Sequence, residues 1–160
     1  TVFRIQEKQK EYRLNPDAIA NDQIPIEYLH RLKKGESPAN EKGKIIDYKK
    51  YTLSPRPSFS YSYCSDTAYS EELVPYIKDS TLLYHEATFI EKDKDRAKQT
   101  FHSTAKDAAT IAQASNVKKL ILGHFSSRYS ETEDHQHEAN TFFNNTLIAE
   151  DGLTIELGKI

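Results

Sequence analysis

A handful of residues in this chain have side chains that can hold a metal ion or move a proton, and most follow an apolar run. Asp66 comes after Phe59-Ser60-Tyr61-Ser62-Tyr63-Cys64, His85 and Glu86 after Thr81-Leu82-Leu83-Tyr84, and His124 after Lys119-Leu120-Ile121-Leu122-Gly123. His102 differs in standing just ahead of an alanine-rich stretch. A carboxylate offers two oxygens to cations, an imidazole suits zinc, and a carboxylate beside an imidazole orients it and steadies its proton. Singly, each has a plainer reading. Asp66 can be a turn residue or helix cap, and each histidine a hydrogen-bonded structural group.

The elements that must position these residues follow from periodicity. Residues 59–64 alternate apolar and polar, which predicts a strand, and 81–84 predict a second. Thr104 with Asp107 three residues on reads as a capping box opening a helix whose small apolar face is Ala108, Ala109, Ile111 and Ala112. Residues 119–122 predict a buried strand. A helix is expected over 135–149, burying Ala139, Phe142, Phe143, Leu147 and Ile148, with a closing strand over 153–157 after the Asp151-Gly152 turn. Strands alternating with helices argue for an α/β layered fold, in which sites assemble where strands end.

Residues 7–57 differ in character. They are polar and broken by Pro16, Pro25, Gly35, Pro38, Gly43, Pro55 and Pro57, and from Lys8 to Lys50 they hold ten Lys/Arg against seven Asp/Glu. The whole chain carries a formal charge of −2, so any contact with nucleic acid must come from local patches. Residues 26–34 predict helical turns ended by Gly35, and 44–51 a short strand. The region has too few apolar side chains for a core of its own and reads as an arm. Cys64, the single cysteine, cannot form an internal disulfide, which points to a reducing cytoplasm. No apolar run approaches the roughly 18–20 residues of a membrane span, so no membrane partner is expected.

Four segments taken together say more. Cys64-Ser65-Asp66-Thr67, His85-Glu86-Ala87-Thr88-Phe89, His102-Ser103-Thr104-Ala105 and Gly123-His124-Phe125-Ser126-Ser127-Arg128-Tyr129 strongly resemble the RNase Z family, the tRNA 3′-endonuclease branch of the metallo-β-lactamase fold. The match covers roughly 60–157. It implies the C-terminal half of an αββα sandwich with a projecting tRNA-binding arm. Residues 1–6 would form a strand of the core sheet, 7–57 the basic arm, and 58–160 the half-sandwich.

The resemblance also implies roles. Asp66 matches an aspartate that bridges two zinc ions and His124 a histidine ligand of one. Glu86 and His102 match the catalytic proton network, with His102 as donor to the leaving oxygen. Arg128, in a Phe-Ser-x-Arg-Tyr segment, would grip a phosphate, or else make a structural salt bridge. Arg31, Lys33 and Lys34 would touch tRNA phosphates from the arm, or simply solvate a helix face. The partners implied are precursor tRNA and a second copy of the chain, one subunit's arm serving the other's site.

There are departures from the family pattern. The His-x-His-x-Asp-His motif that supplies most ligands of the family's two zinc ions is absent, so the chain is expected to be a fragment, inactive alone. Ile26 stands where a glycine is expected in the arm. Other readings are a general phosphodiesterase of the same fold and a non-catalytic RNA-binding module. His135 and His137 look like half a zinc motif, but two residues apart on a helix they diverge, and a solvated helix start is expected instead. Cys64 reads as a strand filler. The arm tyrosines Tyr12, Tyr28, Tyr48 and Tyr51 suit packing or base stacking.

Overall fold

A computed structural model describes residues 1–160. In chain order its elements begin with β1 (Val2–Gln6), β2 (Arg13–Leu14), α1 (Pro16–Asn21), α2 (Ile26–Lys33), α3 (Tyr48–Tyr51) and β3 (Thr52–Leu53). There follow β4 (Ser60–Cys64), α4 (Val74–Ile77), β5 (Leu82–Glu86), α5 (Lys94–Thr100), α6 (Ala105–Ala114), β6 (Lys119–Gly123), α7 (Glu133–Asn140) and β7 (Thr146–Ile148). The chain divides into two units, one of Thr1–Gln6 with Phe59–Ile160 and the other of Glu7–Ser58.

The larger unit is built on a five-stranded sheet of order β1-β4-β5-β6-β7. β1 runs antiparallel to β4, and the other neighbours are parallel. Parallel pairing needs crossovers, and α6 supplies the one between β5 and β6. The alternation in β4 sends Ser62 and Cys64 inward and leaves Tyr61 and Tyr63 half-buried on the opposite face. On the inward face Leu83, Leu120 and Leu122 meet Ala105, Ala108, Ala109, Ile111 and Ala112 of α6. The alanines let helix and sheet approach closely, and each leucine so buried contributes about 1.5–3 kcal/mol. The other face carries a ladder of rings, Phe3 stacked on Tyr63 at 5.0 Å and Tyr63 on Tyr84 at 4.7 Å.

Thr104 caps α6 as expected, its hydroxyl accepting from the Asp107 amide while the Asp107 carboxylate accepts from the Thr104 amide. Two expectations for the last third fail. The helix that begins at Glu133 stops at Asn140 instead of reaching 149. The amides of Phe142 and Phe143 both turn back to the Ala139 carbonyl, and the Asn144-Asn145 pair then favours a turn. Leu147 and Ile148 therefore lie in β7, which takes the edge beside β6. No strand forms over 153–157, where the chain is irregular and ends in a single turn at Leu157–Lys159.

The smaller unit has a core after all. Leu32, Ile46 and Tyr51 are buried, packed with Leu14, Ile19, Ile24, Leu29 and the rings of Tyr28 and Tyr48. Aliphatic counting undervalued it because tyrosine rings supply much of the apolar surface. α2 and its stop at Gly35, φ +79°, are as expected, although Ile26 is 84% exposed. The strand expected over 44–51 is instead the short α3, because Asp47 caps it by accepting from the Lys49 amide.

Candidate active site

Asp66, Glu86 and His124 stand at or just beyond the C-terminal ends of three adjacent parallel strands, β4, β5 and β6. His102 reaches the same edge from the loop between α5 and α6. Asp66 Oδ1 lies 3.2 Å from His124 Nε2. Donor atoms of Asp66, His102 and His124 all lie within 4.8 Å of one another. The 3.2 Å separation is near the roughly 3.3 Å expected between two ligands each about 2.0–2.1 Å from a tetrahedral ion. The donor set, one carboxylate and two imidazoles, fits a divalent metal.

Both Asp66 and His124 adopt left-handed backbone conformations, φ +51° and +60°. For residues other than glycine this costs about 1–2 kcal/mol. It turns the chain sharply at the strand end and leaves both side chains exposed at the edge.

Beneath them is a hydrogen-bond network centred on Glu86, which is fully buried. Its carboxylate accepts from the Thr67 amide (2.6 Å), the Thr88 hydroxyl (2.6 Å), the Ser103 amide (3.2 Å) and His102 Nδ1 (3.0 Å). Burial alone would raise its pKa. The four bonds outweigh that and hold it below the ordinary carboxylate value, so Glu86 is an anion at neutral pH. An ionised Glu86 fixes a proton on His102 Nδ1 and leaves Nε2 as that ring's working atom.

Thr88 is the residue that sequence reasoning passed over. Its hydroxyl donates to Glu86 and so accepts from His124 Nδ1 at 2.9 Å, which leaves the His124 Nε2 lone pair beside the Asp66 carboxylate, two acceptors that a cation would join. The signal was there, since in an extended segment Glu86 and Thr88 share a face. Ser103 was missed as well. Its hydroxyl donates to the Thr67 carbonyl at 2.7 Å and ties the Asp66 loop down. His85, by contrast, is fully buried, donates Nδ1–H to the Glu86 carbonyl and is no part of the edge.

Gly123 sets how closely the His124 loop approaches its neighbour. A Cβ there would stand 2.3 Å from Tyr84 Oη and 2.6 Å from two ring carbons, and stacking on Tyr63 limits how far the Tyr84 ring can yield. Gly123→Ala is expected to cost about 1–3 kcal/mol in urea unfolding. In a Tyr84→Ala background most of that cost should vanish.

The loop after His124 is held from behind by His135. Far from a solvated helix start, His135 is fully buried, with Phe125 and Tyr129 packed edge-on at 4.9 and 4.7 Å. The cause is the turn at Ser126–Tyr129, which folds two rings over the first turn of α7. His137 stays exposed. Neither nitrogen of His135 closes a hydrogen bond. Burial lowers its pKa, and the charge of Asp134 and the nearby Thr88 backbone only partly oppose this. Unfolded, this ring takes a proton near 6.5, whereas the folded ring resists it. Its contribution is therefore complete above about pH 6.5 and drains away as pH falls. His135→Leu is expected to flatten part of the stability loss between about pH 6.5 and 5, read by urea unfolding at several pH values. His85, similarly lowered by burial, keeps some slope in place.

Most of the remaining candidates carry carboxylate partners. Arg128 sits 3.8 Å from the Asp93 carboxylate, over the Phe89 ring at 5.5 Å. In the smaller unit, Arg31 pairs with Glu36 at 2.7 Å and Lys33 with Glu11 at 3.0 Å, while Lys34 is exposed and has no ion pair.

Comparison with known proteins points one way. No family model matches the chain. A ribonuclease Z from Cytophaga hutchinsonii is 42% identical over 151 residues, covering 94% of this chain and 48% of that protein. The long-form RNase Z from yeast superposes with a TM-score of 0.57 at 30% identity, over 66% of this chain and 14% of that one. A metallo-β-lactamase fold protein from Bacillus subtilis gives the same score at 23% identity, over 61% of this chain and 40% of that one, and bears on the fold alone. The chain spans about half the length of the curated relatives it matches. By sequence and by fold, then, the chain belongs to the ribonuclease Z family and is built on the metallo-β-lactamase fold.

Proposed function

We propose that this chain is the C-terminal half of a zinc-dependent endoribonuclease that removes the 3′ trailer of precursor tRNA. We further propose that it works in the cytoplasm as a homodimer. The observation that carries the reading is the meeting of Asp66, His102 and His124 above a buried, ionised Glu86.

When bound, two metal ions would supply positive charge to the phosphate and make a water molecule acidic enough to attack. Asp66 and His124 would hold them, and Thr88 keeps the His124 Nε2 lone pair free for that task. Water adds to phosphorus and gives up a proton to the solvent, the bond to the 3′-oxygen breaks, and the charged His102 ring delivers its Nε2 proton to the departing oxygen and is then reprotonated from solvent. The tRNA keeps a 3′-hydroxyl and the trailer a 5′-phosphate. Glu86 stabilises His102 in the charged state that it must pass through. In the smaller unit, Lys34 is free to meet a phosphate, whereas Arg31 and Lys33 would first exchange their carboxylate partners. Such contacts position a substrate without reading its sequence. Arg128 could move from Asp93 to a phosphate in the same way.

Asp66 and His124 are too few ligands for two ions, so the missing ligands would come from the half of the relatives' length that this chain does not span. The half-buried face of Tyr61, Tyr63 and Tyr84 is where that half would pack. The test compares the chain alone with the chain joined to the remaining half of a ribonuclease Z relative. The joined protein should cut precursor tRNA after the acceptor stem, and the chain alone should not. A joined protein that hydrolyses small phosphodiesters but spares precursor tRNA would favour the general phosphodiesterase. One that binds RNA and hydrolyses neither would favour the non-catalytic module.

A further inference from the structure

His102 has a second neighbour besides the metal-binding edge. On that side its ring faces His124 at a centroid distance of 5.3 Å. It also lines a separate hollow of about 410 Å³ that neither Asp66 nor His124 reaches. The walls of this hollow come from three places. Ala68 and Tyr69 follow the Asp66 loop, Lys94, Ala97 and Lys98 belong to α5, and Lys106, Asp107 and Thr110 to α6. Its volume falls in the range of small-ligand sites.

The lining has the chemistry of a nucleotide site. Tyr69 is 40% exposed, and its hydroxyl is engaged by Glu71 at 3.0 Å, which steadies a ring whose face can take a base. Lys94 and Lys106 both reach Glu91 Oε1, at 3.1 and 3.0 Å, so that carboxylate already balances them in part. Lys98, one turn along from Lys94, is exposed and has no ion pair. It is the cation available to a phosphate. Asp107 is occupied in capping α6 and adds little repulsion.

Proton delivery decides which nucleotide belongs here. If His102 protonates the leaving 3′-oxygen, the nucleoside that keeps this oxygen lies against His102. We propose that the hollow receives the last nucleotide retained on the cleaved RNA, its base stacked on Tyr69 and the phosphate on its 5′ side held by Lys98. This rests on the reaction proposed above and adds to it a subsite on the retained strand. The trailer would leave by another route.

The test uses the full-length protein and two precursor tRNAs, one normal and one abasic at the last retained position. Tyr69→Ala should raise KM by roughly 5- to 100-fold, the range expected for losing one stacked base, with kcat changed little. Tyr69→Phe, which keeps the ring face and loses only the bond to Glu71, should recover most of that loss. The abasic substrate should show a similar loss with wild-type protein and little further loss with Tyr69→Ala. Lys98→Glu should raise KM and weaken its dependence on salt. Wild-type protein that cuts precursor tRNA, with KM within twofold in Tyr69→Ala and Lys98→Glu, would overturn the subsite alone. So would losses from Tyr69→Ala that are equal on both substrates. Wild-type protein that leaves precursor tRNA uncut would overturn the parent reaction, and the subsite with it.

Discussion

Under the reaction proposed above, His102→Gln in the full-length protein is expected to lower kcat on precursor tRNA by roughly 10²–10⁴-fold, the usual worth of a positioned proton donor, with KM changed only a few-fold. The reason is the geometry of the ring. Nδ1 is committed to a buried anion, so only Nε2 can serve the leaving group. A substrate whose leaving group needs no proton, such as bis(p-nitrophenyl) phosphate, should largely escape the penalty. That contrast matters because a donor atom of His102 also lies within 4.8 Å of those of Asp66 and His124. Were the ring a metal ligand instead, the variant would lose bound metal and slow on both substrates alike. Kinetics on the two substrates, with metal content measured alongside, decides between them. Glu86→Gln should follow His102→Gln in direction, because an amide cannot hold the charged imidazole.

The second large effect concerns His124, one of the two left-handed residues at the candidate site. Under the metal role proposed above, His124→Gly should reduce zinc affinity of the full-length protein by more than the roughly 10–100-fold usual for a lost supporting hydrogen bond, and abolish cleavage. The metal-free variant should be no less stable than wild type. Removing a side chain from φ +60° relieves about 1–2 kcal/mol of backbone strain, against about 0.5–1 kcal/mol for glycine's greater freedom when unfolded. Zinc titration and urea unfolding of the apo protein read the two halves separately. A stability loss of several kcal/mol without metal would mean that His124 is structural. Thr88→Val, which keeps the shape and removes the hydroxyl, should fall between, losing about 10–100-fold in metal affinity.

Local chemistry alone determined a good part of this protein. The alternation of Ser60–Cys64, the apolar runs that became β5 and β6, and the Thr104–Asp107 capping box are short-range signals, and each formed as its residues dictate. The gathering of Asp66, Glu86 and His124 could be anticipated from motif order, since residues at the ends of adjacent parallel strands reach one edge, whereas His102 arrives from a loop between two helices. What the sequence could not carry was whatever depends on a distant partner. The end of α7 and the choice of Thr146–Ile148 over 153–157 as edge strand were settled by competition for the open side of β6. The small core around Leu32, Ile46 and Tyr51 exists because rings far apart in sequence close over one another. The burial of His135 between Phe125 and Tyr129, and the part Thr88 plays between Glu86 and His124, appear only once the loops are folded. Periodicity reports which face of an element is apolar. It does not report which element, or which polar atom, will be found opposite.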